Sequence, residues 1–312
     1  MTSPELEARR PPTGPGFADA VTFAFGDLEQ SLFGLARIGL TAREDGSGAA
    51  GTLAVLFDGA QLAASDTAAV DDPGGDWDAL AAGAVRASTQ APLERWEVAF
   101  AGEGGAGFEL RFAALSPPAS GALGTRVGRE GYAQLCRVEG SVRTVGGERA
   151  VDCLGQRGHG WGVPAWERLA FPVVLPYAKR VIRRHFGITD ASARTAVTDV
   201  DAQFDAVRPP DAAGHESESV EAVVVEGSGP EAVVRTAAEA RLSTAYDASG
   251  RMRRAGMELW VDEEDEYPRR VAGEALCGTS LERGPVRTDL AFFVWHSEGR
   301  TGAGSYELAE RA

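Results

Sequence analysis

Cysteine is scarce in this sequence: the 312 residues include three, and an odd number does not suggest a disulfide framework. Cys136 and Cys153 flank a predicted hairpin that turns at Gly146 and Gly147. In the register set by this turn, the two sulfurs are roughly 13 Å apart along the strands, which is beyond the reach of a bridge. We therefore expect reduced thiols.

Motifs for metal or nucleotide cofactors are also missing. The four histidines and three cysteines show no HxxxH or CxxC spacing, which argues against a zinc site. The stretch GEGGAG at 102–107 lies within a predicted β-hairpin, so it is interpreted as a turn and not as a dinucleotide fingerprint. The sequence has neither GxSxG nor a phosphate-binding GxxxxGKS/T motif. We expect neither a metal nor an organic cofactor.

Long apolar runs and excess positive charge are absent as well. No segment approaches the 18 or more apolar residues of a membrane span, and the formal net charge of −15 disfavours nucleic acids and anionic membrane surfaces as partners. We therefore expect a neutral or small partner. Residues 1–16 lack the apolar core of a secretion signal, so we predict a disordered tail on a cytoplasmic protein that is a monomer or weak dimer.

Period-two alternation of apolar and polar residues is the dominant pattern. It predicts β-hairpins with glycine-rich turns, at 95–115, 131–155, 240–276 and 288–308. Further strands are predicted at 31–40 and 53–57. Many meandering strands without βαβ alternation predict an all-β fold of antiparallel barrels or sandwiches, and the chain length is consistent with two up-and-down barrels of roughly 150 residues each.

The domain boundaries follow from the place where the strand pattern stops and two prolines interrupt it. We predict barrels at 17–170 and 195–312, joined by a linker at 171–194. Within the linker, 175–187 has helical spacing and four basic residues, which predicts a short basic helix. That helix either presents a solvated face or caps a pocket. A second helix is predicted in the alanine-rich segment 76–87.

One short window, 152–169 (DCLGQRGHGWGVPAWERL), concentrates histidine, tryptophan, arginine and glycine. A strand ending in this window would bring Arg157, His159, Trp161 and Trp166 to a barrel mouth or an inter-domain crevice. Indole faces hold flat or hydrophobic molecules, and histidine acts as an acid, base or hydrogen-bond donor near neutral pH. A structural role is equally open, in which the indoles plug space and the histidine bonds the backbone.

The stretch GQRGHGWGVPAW, with YAQLCRVEGSVRTVGGERAVDCL before it and GRTGAGSYELA near the C-terminus, resembles the tandem-lipocalin superfamily of carotenoid 1,2-hydratase and AttH-like proteins. In that superfamily the motif usually runs Gly-x-Arg-Asp-His-Ser-Trp-Gly-x-Arg-x-Trp. The matching residues are Gly155, Arg157, His159, Trp161, Gly162 and Trp166. The resemblance implies two consecutive lipocalin-like antiparallel β-barrels with few short helices, and an enzyme for hydrophobic polyene or terpenoid-like substrates.

Three motif positions depart from that pattern, because its aspartate, serine and second arginine are replaced by Gly158, Gly160 and Pro164. The superfamily's hydratases are expected to protonate an alkene, and glycine cannot donate a proton. The candidate catalytic residues are therefore His159 with Glu167 or Asp152. Pericyclic cyclases of the superfamily depend more on pocket shape than on a strong acid.

Two candidates outside the motif are weaker. His296 shares a predicted strand face with Leu290, Phe292 and Val294, so it is predicted to be a core or rim histidine, and it is retained as a candidate ligand contact. Trp260 is predicted to lie in a barrel core.

The sequence predicts one of two functions. The first is an enzyme, a cyclase/isomerase or hydro-lyase, that isomerises, cyclises or hydrates a hydrophobic polyene or terpenoid-like molecule in an apolar pocket near the inter-domain seam. Arg157, Trp161, Trp166 and His296 would contact the ligand. The second is a non-catalytic carrier of a hydrophobic small molecule, in which the same residues line the cavity. A purely structural role of the motif is a third hypothesis.

Overall fold

A computed structural model gives the fold of the chain and describes residues 4–43, 45, 47–119, 129–163, 180–185, 196–204, 218–226, 231–283, 286–297 and 299–311. Apart from two short 3-10 helices, at Pro4–Glu7 and Glu103–Gly105, the named elements are β-strands. The chain divides into two compact units. One contains a ten-stranded antiparallel sheet and the other a nine-stranded one. The predicted all-β, lipocalin-like fold is confirmed.

The first sheet is an up-and-down meander that curls back on itself. Its strands are β1 Ala18–Asp27, β2 Leu32–Ala42, β3 Gly48–Asp58, β4 Gln61–Asp71, β5 Leu80–Ala82, β6 Val85–Ala91, β7 Arg95–Ala101, β8 Gly107–Ala114, β9 Arg129–Thr144 and β10 Gly147–Gly162. β1 pairs with both β2 and β10, which places the sheet edges at β4 and β5. Gly83, in the β5–β6 turn, lies against Ala68 of β4 so closely that a Cβ at Gly83 would be 2.8 Å from the Ala68 methyl group. The sheet is therefore a nearly closed barrel.

The second sheet follows the same plan. Its strands are β11 Arg180–His185, β12 Ala196–Phe204, β13 Glu218–Glu226, β14 Val233–Thr236, β15 Glu239–Tyr246, β16 Met252–Trp260, β17 Arg269–Arg283, β18 Val286–Ser297 and β19 Arg300–Arg311. β11 pairs with β12 and β19, so the first and last strands of this unit are neighbours too. Its core includes Phe293, whose ring stacks on that of Trp295 with the centroids 5.0 Å apart.

The interior of the first barrel is filled by aromatic and aliphatic side chains. Phe23 meets Phe112 edge to face, and Phe25 meets Phe108 in the same way, with centroids 5.1 and 5.4 Å apart. Such pairs stabilise a core beyond the area they bury. The hairpin predicted at 95–115 supplies two of these rings, and its strands β7 and β8 are confirmed.

Both helix predictions are wrong where the structure describes them. In 76–87, β5 and β6 form a tight turn in which Gly83 has φ +52°. Leu80, Ala82 and Val85 are buried, so pairing at the sheet edge outweighs the helix propensity of alanine. In the predicted basic helix, residues 180–185 form β11 and belong to the second sheet, because their backbone pairs on both sides. The remainder of 175–187, and of the predicted linker, lies outside the described residues.

The N-terminal prediction also fails. Residues 4–7 of the expected disordered tail form a 3-10 helix, and Glu7 is buried. Composition indicated disorder because the segment is rich in charge and proline. The carboxylate of Glu7 finds buried donors inside the barrel, which composition does not reveal.

Two details of the strand predictions need correction. Thr144 pairs with Gly147, so the β9–β10 turn is formed by Val145 and Gly146 and not by Gly146 and Gly147, and Cys136 pairs with Gly155. The cysteines Cys136, Cys153 and Cys277 are free, as expected. Trp260 is not barrel core: Leu259 and Val261 on either side of it are buried, whereas Trp260 is half-buried under the Arg241 guanidinium. The described residues contain no helix long and apolar enough to cross a membrane.

Candidate functional site

Strand β10 contains the motif, and the alternation of the strand sorts the motif side chains between the two faces of the sheet. Arg157 and His159 face the barrel interior, with 0% and 1% of their surface exposed. His159 pairs with Val21 of β1 on one side and Tyr132 of β9 on the other. Gly158, between them, lies on the opposite face, next to Thr22. The motif therefore contributes two buried polar side chains to one end of the barrel.

His159 has a partner at each ring nitrogen. Nε2 lies 2.6 Å from Oδ1 of Asp19 in β1, and Nδ1 lies 3.0 Å from the carbonyl oxygen of Leu6. A carbonyl oxygen only accepts hydrogen bonds, so Nδ1 carries the proton in this contact. The other oxygen of Asp19 accepts from the Arg10 amide at 2.7 Å and the Trp77 indole at 3.3 Å. These bonds orient the carboxylate toward the imidazole.

Three aromatic rings surround His159. The ring centroids of Trp161, Tyr132 and Trp77 lie 5.0, 5.8 and 5.9 Å from that of the imidazole, each edge-on. Trp161 is half-buried and donates its indole N–H to Glu130 at 3.2 Å. The acid–base pair of His159 and Asp19 is thus set in largely apolar walls.

Arg157 forms a second buried pair beside the first. One guanidinium nitrogen bonds a Glu7 carboxylate oxygen and the other bonds the Tyr132 hydroxyl. The guanidinium carbon lies 5.1 Å from the ring centroids of both Trp96 and Tyr132. Burial raises the pKa of Tyr132 well above its usual value, although the nearby Arg157 charge opposes this. The hydroxyl therefore stays protonated and donates to Glu7 at 3.3 Å.

Residues 4–10, here called the N-terminal strap, cover this end of the barrel. Leu6 and Glu7 contact the site as described above, and the Arg10 guanidinium lies 4.3 Å from the Trp161 ring centroid. Arg9 fastens the strap outside: its side chain forms an ion pair with Asp72, and its amide donates to Asp76 at 2.9 Å. The strap is thus held by polar contacts at Leu6, Glu7, Arg9 and Arg10.

Arg157 and its strand partner Gln134 each have one buried polar atom without a hydrogen-bond partner among the described residues. These atoms are Nε of Arg157 and Oε1 of Gln134, which stand on directly paired residues of β10 and β9. Buried polar atoms are usually bonded, so such a donor and acceptor side by side are unusual. They leave bonding capacity at the site beyond what Glu7 uses.

The structure unites only part of the predicted site. His159 and Arg157 are neighbours, and Trp161 lies against His159, but Trp166 and Glu167 lie outside the described residues. Asp152 is exposed on the opposite face of β10 from His159 and forms an ion pair with Arg137. It is therefore separated from the imidazole by the sheet and by seven residues of strand, roughly 23 Å.

His296 belongs to the second unit. It is exposed at the end of β18 and its Nδ1 lies 3.1 Å from the Thr301 hydroxyl. The predicted shared face is correct for Leu290 and Phe292, which are buried. The core cluster of this unit takes Ala291, Phe293 and Trp295 from the other face of β18, so His296 is an exposed residue and not a core residue.

Sequence reasoning missed five further side chains of the site: Glu7, Asp19, Trp77, Trp96 and Tyr132. Asp19 had a signal, because it alternates with Val21 and Phe23 on the inward face of β1. An aspartate on an apolar strand face is either paired or functional. Glu7 had no such signal, since it lies outside any periodic segment.

Arg157 and His159 are enclosed, because Leu6 and Glu7 of the strap contact them inside the polar end of the barrel. A cavity of about 650 Å³ lies elsewhere, on the outer face of β5–β9, where Arg86, Glu97, Glu109 and Arg111 are among its lining residues. The described residues include no cluster of three or more His, Cys, Asp or Glu side chains suited to a metal ion.

Comparison with known proteins gives a family and a fold. The model of a domain of unknown function, DUF7064, matches residues 3–312. No curated protein matches the sequence. Among solved structures, an AttH-like protein from Nitrosomonas europaea is similar, with a TM-score of 0.67, 10% identity, and coverage of 96% of this chain and 93% of that one.

Two further solved structures share the fold. Kievitone hydratase from Nectria haematococca has a TM-score of 0.57 and 10% identity, with coverage of 96% of this chain and 90% of that one. CghA has a TM-score of 0.54 and 12% identity, with coverage of 100% of this chain and 96% of that one. A complex of CghA with Sch210972 is also similar, with a TM-score of 0.51. These likenesses agree with the AttH-like tandem-lipocalin resemblance of the sequence.

Proposed function

The chain belongs to the DUF7064 family, and we propose that it is an enzyme that isomerises, cyclises or hydrates a hydrophobic polyene or terpenoid-like small molecule at the Asp19–His159 pair. The observation that carries this proposal is the position of His159, held between a carboxylate and the strap carbonyl inside a ring of aromatic side chains. It places a protonated nitrogen in apolar surroundings.

The proposed chemistry depends on which of the two hydrogen bonds of His159 can break. The Asp19 contact belongs to the barrel, whereas the Leu6 contact belongs to the strap. When the strap withdraws, Nδ1–H of His159 loses its acceptor and faces the vacated space. Asp19 keeps the ring in place and stabilises the positive charge of the imidazolium, as a carboxylate partner does in acid–base catalysis.

In each of the three reactions, His159 donates the Nδ1 proton at the start and takes up a proton at the end. The π electrons of an electron-rich conjugated double bond take the Nδ1 proton, which leaves a carbocation and a neutral imidazole. The cation loses a different proton to His159 in an isomerisation. It is attacked by a second double bond before that loss in a cyclisation, or by water in a hydration. His159 regains its proton in every case, so it fills the role left vacant by the motif aspartate.

The energetics of burying charge favour a functional role for the Glu7–Arg157 and Asp19–His159 pairs. A buried ion pair is often no more stabilising than well-packed apolar residues of the same volume. Two adjacent buried pairs, Glu7–Arg157 and Asp19–His159, are therefore weak stabilising devices for a barrel that is otherwise filled by phenylalanine and aliphatic residues. Solved structures with a similar fold include kievitone hydratase and CghA with Sch210972.

A non-catalytic carrier is the second candidate. It is favoured by the complete bonding of both His159 nitrogens in the covered state, which suits a group that only closes the site. In that case a ligand would be retained and released unchanged.

Product analysis separates the two. The full-length protein is incubated with an apolar cell extract, and the extract is compared by mass spectrometry before and after. We expect one compound to be depleted, with a product of the same mass or heavier by one water. His159→Ala should abolish the conversion, whereas Glu103→Ala, in the exposed 3-10 helix Glu103–Gly105, should leave it unchanged. If the wild type and His159→Ala both retain a compound and release it unaltered, catalysis is excluded.

A further inference from the structure

The carboxylate of Glu7 occupies a complete anion receptor that belongs to the barrel. Besides the Arg157 guanidinium, it accepts hydrogen bonds from the Trp96 indole at 3.0 Å, the Leu93 amide at 3.2 Å and the Tyr132 hydroxyl at 3.3 Å. Charge-assisted bonds of this kind are about twice as strong as neutral ones. These donors lie on β7, β9, β10 and the turn before β7, so they do not depend on the strap for their positions.

We propose that this receptor binds the carboxylate of an apolar ligand, and that Glu7 holds it as an internal competitor until the ligand arrives. The inference deepens the proposed function, on which it rests for the apolar part of the ligand. Its substrate class is an unsaturated hydrophobic carboxylic acid.

The receptor and the proposed acid are adjacent, which relates the carboxylate to the reacting group. Tyr132 stands between them: its ring centroid lies 5.8 Å from that of His159, and its hydroxyl bonds Arg157. A carboxylate in place of Glu7 would direct the attached chain along Tyr132 and Trp161 toward His159. The unpartnered Arg157 Nε and Gln134 Oε1 add a donor and an acceptor beside the receptor.

The strap is suited to act as a removable occupant. Its residues other than Glu7 are half-buried or exposed, and it is fastened outside the site through Arg9, whose side chain bonds Asp72 and the Gly75 carbonyl. A ligand that offers its own carboxylate replaces the bonds Glu7 loses, and its apolar chain buries surface that the strap does not. A neutral ligand would leave Arg157 without a counter-charge, which is costly inside a barrel.

Tryptic cleavage of the Arg9–Arg10 bond reports strap release in the unmodified full-length chain. The probes are straight-chain carboxylates up to decanoate, below their micelle concentrations, with the alcohols of matching length. We expect cleavage of this bond to accelerate saturably with the longer carboxylates and to stay constant with the alcohols. Equal acceleration by both series, or by neither, would overturn the proposal.

A strap variant tests the competition directly. Arg9→Ala removes the side-chain part of the outer fastening and leaves the receptor donors in place. It should raise the apparent affinity for decanoate by about tenfold, because the state with the strap released is more populated. Arg43→Ala removes a more exposed ion pair, with the neighbouring Asp71, and should leave the affinity unchanged. Equal decanoate affinities in the wild type and Arg9→Ala would contradict an internal competitor.

The outcomes distinguish this inference from the function it rests on. If a neutral compound is converted by the enzyme while carboxylates release no strap, the ligand class proposed here is wrong and the acid–base role of His159 stands. If carboxylates release the strap but no extract compound is converted, the receptor stands and the enzyme proposal fails.

Discussion

Glu7 and Arg157, 150 residues apart in the sequence, form an ion pair whose side chains are 6% and 0% exposed. This pair makes the N-terminal strap a component of the barrel's polar end. Removing either partner leaves the other as a buried charge without a counter-charge, which is destabilising. The pair therefore stabilises the contact between the strap and β10.

Glu7→Gln should therefore lower the free energy of unfolding of the first unit by about 3 kcal/mol, because the buried guanidinium loses its counter-charge. Urea unfolding followed by tryptophan fluorescence measures the change. Glu103→Gln, in the exposed 3-10 helix, is the matched control and should stay within about 0.5 kcal/mol of the wild type. An equal decrease in the free energy of unfolding of both variants would mean that the effect of Glu7→Gln does not come from the Glu7–Arg157 pair.

Acid should loosen the strap through Asp72. Burial acts to raise the pKa of Asp72, but hydrogen bonds from Arg9 and the Gly74 amide outweigh it and hold the pKa below its ordinary value of 3.8. A lowered pKa stabilises the docked strap above that ordinary value, and the contribution is lost as the pH falls through the folded-state pKa.

Hydrogen exchange of residues 4–10, corrected for intrinsic rates, should therefore show less protection at about pH 2.5 than at about pH 5. Asp72→Asn should be less protected at the higher pH and change less between the two. An identical pH response in the variant would assign the acid sensitivity to another group.

Two glycines of the motif strand should differ in their tolerance to a methyl group. A Cβ at Gly155 would lie 2.4 Å from the Ala24 carbonyl oxygen and 2.6 Å from a Val138 methyl, whereas one at Gly158 would meet only ordinary contacts near 4 Å. Gly155→Ala should cost about 1–3 kcal/mol through overpacking, and Gly158→Ala should be close to neutral. Thermal unfolding of the two variants measures the difference, and an equally large loss in Gly158→Ala would count against the observed packing.

The free thiols should be unreactive in the folded chain. Burial raises the pKa of Cys136, Cys153 and Cys277 to about 12 in each case, so little thiolate exists at mildly alkaline pH. A colorimetric thiol reagent at about pH 8 should react slowly with the native protein and rapidly with all three cysteines in urea. Fast reaction without denaturant would show that the cores open readily.

The strands could be predicted from the sequence because a half-buried sheet requires alternation, and β7–β10 and β15–β19 display it. The helix prediction at 76–87 failed because alanine is compatible with both states, and pairing with β7 settles the conformation. Arg157 and His159 were identified from the motif. Their partners were not, because Glu7 and Asp19 approach them only through the closure of the barrel, and contacts across 140 or more residues leave no local pattern.

Nitrogen-15 NMR of the tryptophan indoles tests the central claim, that the strap covers a ligand site at Arg157 and His159, most directly. The Trp96 indole donates to Glu7 and the Trp77 indole to Asp19 beside the Arg10 amide. Titration of the full-length protein with decanoate should move these two resonances together and saturably, while that of Trp260 in the second unit stays in place. Unchanged Trp96 and Trp77 resonances at saturating decanoate would contradict the claim.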